Sequence, residues 1–311
     1  MNANSARQAY SVENLATRSA PGATTLVASP PLGGLNSTTA QLLSNEHEQE
    51  VLAFLGQRPT HTVMMAGFIR DNGLESRLNR GSFYACRSKK GKLEGVALLG
   101  EITTFEARTE TTVATFARCA RTAPKVSVII GEQAKVRSFW RYYAEDGEAP
   151  PVDCVELLFE LREAPICDDV QELRIASADD LNLVMAIHAD MAYAESGINP
   201  LEVDPLGFRE RCARRIEQRR VWVVTHGDEL VFKADIISET PEVTYLEGIH
   251  VSPGLRGQGQ GFRCLSQIAR TLLKRTKCVS LLVNQKNREA QNLYRKCNFQ
   301  LRGRYETIFL P

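Results

Sequence analysis

The densest chemical signal in the chain is the stretch Gly254-Leu255-Arg256-Gly257-Gln258-Gly259-Gln260-Gly261. It follows a segment, 243–252, that reads as a strand running into Ser252-Pro253. It precedes a helical pattern in which Phe262, Leu265, Ile268, Ala269, Leu272 and Leu273 share one face. A strand that delivers a glycine-rich loop to a helix N-terminus builds an anion site. The first-turn N–H groups lack intrahelical acceptors, the helix dipole favours negative charge, and glycine lets backbone approach phosphate closely. A dinucleotide fingerprint is excluded, because Phe262 stands at the third glycine position after Gly257 and Gly259. A phosphate loop of the Gly-Lys-Ser/Thr type is absent. What remains is V-x-P followed by R-x-x-G-x-G, which a tight strand-to-helix connection would also explain if it stood alone.

It does not stand alone. Val283-Asn284 closes the next strand, and Asn287, Ala290, Leu293, Tyr294 and Phe299 form N-x-x-A-x-x-L-Y-x-x-x-x-F. With these residues the second half of the chain, roughly 170–311, resembles the GNAT superfamily of N-acetyltransferases. The family usually has glycine where this chain has Asn298, a residue that also tolerates a left-handed helix end. The resemblance implies acetyl-CoA as acyl donor, with its pyrophosphate on the N–H groups of Arg256, Gly257, Gln258, Gly259, Gln260 and Gly261. It implies a pantetheine arm along Ile249, His250 and Val251, reached also by Asn287, and a strand N–H that polarises the thioester. It makes Tyr294 the acid that protonates the leaving thiolate. Taken alone, Tyr294 shares a face with Ala290, Leu293 and Cys297 and reads as a core tyrosine; Asn287 alone reads as a helix cap. No metal is required.

On the acceptor side, strict alternation along 243–252 puts Tyr245, Glu247, Ile249 and Val251 on one face and His250 on the other. In the GNAT fold the former face lines the cleft. Glu247 then serves as base for an amine or as its electrostatic anchor, unless it is an ordinary strand glutamate. His250, facing away, reads as structural. Glu195 and Tyr245 are candidate acceptor contacts, Glu195 lying where the family's acceptor loop lies. The expected reaction is acetyl transfer to a primary amine of a small molecule or peptide. The alternative is a non-catalytic acyl-CoA-binding or protein-interaction module on the same fold.

The elements that must position these groups fall into two similar series. Residues 1–37, rich in Ala, Ser, Thr, Gly and Pro, read as a flexible leader. Segment 38–163 reads as two helices, a strand hairpin, a helix, a strand, a helix and a last strand. Residues 164–169 are a linker, and 170–311 runs in nearly the same order. Strand 172–176 precedes a helix opened by Ser177, with Asp180 three residues later suiting an N-terminal cap, and Asp204-Pro205 starts another helix. Strands 221–226, 230–238 and 243–252 follow, then helix 259–275, strand 279–284, helix 288–297 and strand 300–310. The expected class is mixed α/β (α+β-like): two GNAT-like lobes, each a mostly antiparallel mixed sheet flanked by helices. The first lobe resembles the degenerate lobe of tandem acetyltransferases. Its stretch Gly100–Glu110, matched to the glycine loop, has no G-x-G and puts Glu106 and Glu110 where phosphates would sit.

Composition narrows the classes further. With 38 basic and 37 acidic residues, net charge is +1, which argues against a nucleic-acid or membrane-surface partner. Eight cysteines are scattered without C-x-x-C or zinc spacing and read as reduced thiols of a cytoplasmic protein. Glu46-His47-Glu48 cannot converge on a metal, because adjacent helical residues point apart.

Overall fold

The computed structural model describes residues 39–144 and 148–310, so the 1–37 leader lies outside the described residues. The first half runs β1 (Ala40–Leu42), α1 (Glu48–Leu55), α2 (Pro59–Asn72), β2 (Gly81–Arg87), β3 (Leu93–Gly100), β4 (Ile102–Ala107), α3 (Glu110–Ala120), β5 (Val128–Glu132), α4 (Gln133–Tyr143) and β6 (Val152–Leu161). The second runs β7 (Arg174–Ile175), α5 (Leu181–Ser196), α6 (Pro200–Val203), α7 (Pro205–Glu217), β8 (Val221–His226), β9 (Glu229–Glu239), β10 (Thr244–Val251), α8 (Gln260–Leu272), β11 (Val279–Asn284), α9 (Arg288–Lys296) and β12 (Gln300–Phe309). The expected mixed α/β class, with a mostly antiparallel sheet flanked by helices, is what the chain adopts.

Local chemistry explains most boundaries. Ser177 and Asp180 form the expected capping box before α5, the Ser177 N–H donating to Asp180 Oδ2 at 2.7 Å. Gly197 ends that helix at φ 73°, and Pro205 opens α7 with Asp204 as its cap. Residues 102–107, expected as loop, are instead strand β4. Both of its faces are buried, so the polar/apolar alternation that marks a half-exposed strand is missing.

All described strands join one sheet, in the order β1-β2-β3-β4-β5-β12-β6-β11-β10-β9-β8-β7. The two halves exchange their last strands. β6, from the first half, pairs along β11 from Leu161↔Val279 to Glu156↔Asn284. β12, from the second, pairs along β5 from Tyr305↔Glu132 to Phe309↔Val128. β6 and β12 pair with each other at the centre. The segments 38–163 and 170–311 are therefore stitched into one sheet.

Helix α2 packs on strands from both halves, β4 on one side and β9 and β10 on the other. Its Val63, Met65, Phe68 and Ile69 share a core with Ile102, Ile237, Tyr245 and Leu282. Contact with β9 is close enough that a Cβ on Gly67 would fall 1.7 Å from Ser238 Oγ, which donates to the Val63 carbonyl at 2.6 Å. Arg220 clamps Asp71 and Arg214 donates to Asn72, tying the helix to the second half. Exchanged strands and a shared helix bind the two halves to each other, although α5, α7 and β8 also enclose a cluster of second-half residues around Phe208 and Val223. Heating is therefore expected to produce one calorimetric transition whose calorimetric and van 't Hoff enthalpies agree. Two resolved transitions would show that the lobes unfold separately.

Candidate functional site

The site begins where two strands part. β10 and β11 run parallel and pair only through Thr244↔Val279, Tyr245↔Ser280 and Leu246↔Leu281. Beyond Leu246, β11 stays on β6 while β10 follows β9, so the β10 edge from Glu247 to Val251 has no β11 ladder partner. A bulge sits at the parting point. Gly248 takes φ +59°, and register on β9 shifts between Glu247 and His250.

This bulge corrects the expected facing. Directly opposed residues share a sheet face, and Glu247 opposes Asp235 while His250 opposes Lys233. Tyr245, Glu247 and His250 therefore lie on the α2/α5 side. Ile249 and Val251 turn to the α8/α9 side and pack against its core. Strict alternation failed because one extra residue reverses it. His250 is half-buried, and burial, then Lys233 and Arg256, lower its imidazole to about 4. It stays neutral near pH 7.

From β10 the chain enters the exposed loop 256–259, where Gly257 and Gly259 hold φ 77° and 83° and face open space. The loop is braced by its own side chains: Arg256 Nε donates to the Val251 carbonyl at 3.1 Å and Gln258 Nε2 to the Gly254 carbonyl at 2.8 Å. Gly259 is the N-cap of α8, so the first-turn N–H groups of this helix point out of the loop. Gly261 lets that helix end settle on Val251 and Leu293, since a Cβ there would meet Val251 Cγ2 at 2.9 Å.

On the α8/α9 side, Asn287 caps α9 by accepting from the Ala290 N–H at 3.0 Å. Tyr294, on the same helix, is buried between Phe159 and Phe299, with ring centroids 6.1 and 6.0 Å away. Burial pushes its phenol well up. Asn298 ends α9 at φ 71°, the left-handed state its position demands. On the other side, Glu247 is 5% exposed. Tyr245 lies in the core under α2, its phenol raised first by burial and then by Glu247. The backbone of Glu195 is in the last turn of α5, and its side chain lies outside the described residues.

Sequence reasoning missed a buried charged group behind the bulge. Asp235 Oδ2 accepts from His188 Nε2, from Lys233 Nζ at 2.8 Å and from Arg215 NH1 at 3.2 Å. Lys233 and Asp235 alternate with Phe232, Ala234 and Ile236, so they pass for the solvent face of a half-exposed strand. Their place inside the apolar run 230–237 is the one local sign of burial, which α5 packing on β9 and Arg215 of α7 reaching Asp235 bring about. Also on this face, a groove of about 1140 Å³ runs between the lobes, lined by Asp71, Arg77, Asp204, Arg211, Arg214 and Ile237 among others.

The first half has a matching parting, filled differently. β4 and β5 pair only at Ile102↔Val128 and Thr103↔Ile129. Across the gap, Arg58 donates to Glu106 at 2.9 Å and to Glu132 at 2.7 Å, and Lys135 reaches both at 2.9 and 2.8 Å. Thr109 Oγ1 caps α3 and Glu110 occupies its first turn, so that helix end presents no anion seat. Glu106 thus holds an ion-pair network inside the sheet.

Glu156, on β6, is fully buried on the α2 side and accepts from Thr307 Oγ1 at 2.6 Å. Burial raises its carboxyl from the ordinary 4.5 to about 7. A carboxyl raised on folding adds stability that is complete below pH 4.5 and is lost as pH rises to about 7. Glu156→Gln should therefore gain on the wild type across that window, by up to ~3 kcal/mol. A stability difference that stays constant with pH in denaturant titrations would refute this.

Comparison with known proteins follows the same division. Residues 186–299 match the model of the acetyltransferase (GNAT) family. No curated protein matches the chain significantly. Among solved structures, a Drosophila protein superposes with a TM-score of 0.65 at 14% identity, covering 88% of this chain and 99% of its own. A tandem GNAT protein from the clavulanic acid biosynthesis pathway gives 0.53 at 12%, covering 88% and 98%. A GNAT-family acetyltransferase from Colwellia psychrerythraea gives 0.51 at 11%, covering 88% and 100%. At these identities the likeness is one of fold.

Proposed function

The second half of this chain belongs to the GNAT family of acetyltransferases, and from that premise we propose that the protein transfers an acetyl group from acetyl-CoA to a primary amine at the parting of β10 and β11. The observation that carries this reading is the β10 edge left without a β11 ladder partner directly before a glycine loop at a helix N-terminus. An extended amide-bearing arm can complete that edge as a strand would, and a pyrophosphate suits the α8 N–H groups. Among the described residues no helix is long and apolar enough to cross a membrane.

The two faces of the sheet divide the chemistry. Tyr294, with Asn287, Ile249 and Val251, belongs to the α8/α9 side, where the donor's sulfur would lie. Glu247 belongs to the opposite side, buried behind the lining of the interlobe groove, and there we place the amine. The amine lone pair forms the new C–N bond at the thioester carbon while a β10 N–H at the bulge receives the developing oxyanion. Glu247 accepts the ammonium proton directly or through water. As the C–S bond breaks, Tyr294 donates its phenolic proton to sulfur and recovers one from solvent. The first lobe serves as wall and clamp, since its own parting is filled by Arg58, Glu106, Glu132 and Lys135.

Gly259→Glu should abolish acetyl-CoA binding in calorimetry, where the wild type binds at one site per chain. A Cβ there has room, so the effect comes from backbone strain at φ 83° and from a carboxylate in the phosphate seat. Two sites, or an unaffected variant, would overturn the assignment of the loop.

Glu247→Gln tests the base. Turnover near neutral pH should fall about 10²-fold, and the acidic limb of the pH–rate profile should flatten, with acetyl-CoA affinity unchanged. A raised KM for the amine at constant kcat would reassign Glu247 to binding the ammonium.

A further inference from the structure

The group behind the bulge has no part in the scheme above, yet its cost demands a reason. His188, Arg215, Lys233 and Asp235 are all at most 4% exposed. Removing charges from water costs several kcal/mol per ion, and well-packed apolar side chains often serve stability as well. Burial, then Lys233, lowers His188 to about 4, so it is neutral near pH 7. Burial pushes the Asp235 carboxyl up, but Lys233, His188 and Arg215 outweigh it and hold the group well below the usual range. Burial lowers Lys233, and the Asp235 carboxylate 2.8 Å from its Nζ is the partner that opposes this and holds its proton.

The position of this group is more specific than its composition. A Cβ on Gly248 would lie 2.8 Å from Lys233 Nζ, 2.9 Å from Asp235 Oδ2 and 3.3 Å from His188 Nε2. Only glycine fits there, and the bulge rests directly on the ammonium. Across the ladder, Lys233 opposes His250 and Asp235 opposes Glu247. The cation is thus seated against the backbone segment whose far edge faces the parted strand β11.

We propose that Lys233 is a positioning residue for acyl transfer: seated on Asp235 and against Gly248, its ammonium holds the β10 bulge in place and adds positive potential behind the backbone donor that meets the acyl oxygen. This rests on the acetyltransferase reading above. A fixed charge in a dry interior needs no reorganisation when the carbonyl oxygen becomes negative, and its effect there is greater than in water. Lys233 touches neither donor nor acceptor and acts through the 248–250 backbone.

The test uses the intact chain and acetyl-CoA labelled with ¹³C at the acetyl carbonyl, without acceptor. Lys233→Met alone leaves Asp235 short of a partner and can unfold the lobe. The informative protein is therefore the double variant Lys233→Met/Asp235→Asn, which removes the Lys233–Asp235 ion pair and keeps an amide oxygen at position 235 to accept from Arg215. Wild type should bind the labelled donor and move its carbonyl infrared band to lower frequency. The double variant should melt near the wild-type temperature and bind with the same affinity, but lose most of that displacement. With an active amine in hand, kcat should fall about ten- to a hundredfold at constant KM for acetyl-CoA. Equal band displacement in both proteins would overturn the role of Lys233 while leaving the acetyltransferase reading intact. Failure of the wild type to bind acetyl-CoA would overturn both.

Discussion

A β-strand edge can pair with a neighbouring strand or with a ligand, but not with both, and the second lobe is organised around that choice. β10 leaves β11 after Leu246 and follows β9 instead. The bulge at Gly248 makes this departure possible without breaking the β9 ladder, because it absorbs one residue and turns the strand. The glycine loop, the α8 N-terminus and the opposed placement of Glu247 and Tyr294 all take their positions from that single parting.

The comparison between halves sets one parting bridged by side-chain charges against one whose β10 edge has no ladder partner on β11. In the first half, Glu106 and Glu132 stand on the two lips and Arg58 and Lys135 bridge them. Burial alone would raise the Glu132 carboxyl, but Arg58 and Lys135 reverse this and hold it to about 2. In the second half, the cations lie behind the strand, on Asp235, and the gap itself is left to the backbone edge. Charge fills one gap and backs the other.

Strand exchange makes the first half part of the candidate site in the second. β11 is flanked by β10 only at its start and by β6 along its length. Without β6, one lip of the site would be a bare edge. Helix α2 contributes in the same way from above, covering Tyr245 and binding β9 through Gly67 and Ser238. The site's second wall is therefore built from residues far away in sequence.

Features set by local chemistry were legible from the sequence. The glycine loop, the Asp204-Pro205 helix start, the Ser177–Asp180 box and the left-handed Asn298 each follow from residue types within a few positions of one another. The order of elements and the mixed α/β class were legible too, because periodicity is local. What depended on contact across the fold was not. The facing of His250 was inverted by one bulged residue, and Lys233 and Asp235 looked like a solvent face until α5 and α7 covered them. β4 hid because burial on both sides erases alternation. The exchange of β6 and β12 left no trace, since a strand's residues specify a pleated, buried surface but not which neighbour supplies it. The sequence by itself determined the glycine loop and the helix start that follows it; only the tertiary structure decided which strand edge stays open beside them, because strand pairing is settled by all the strands together.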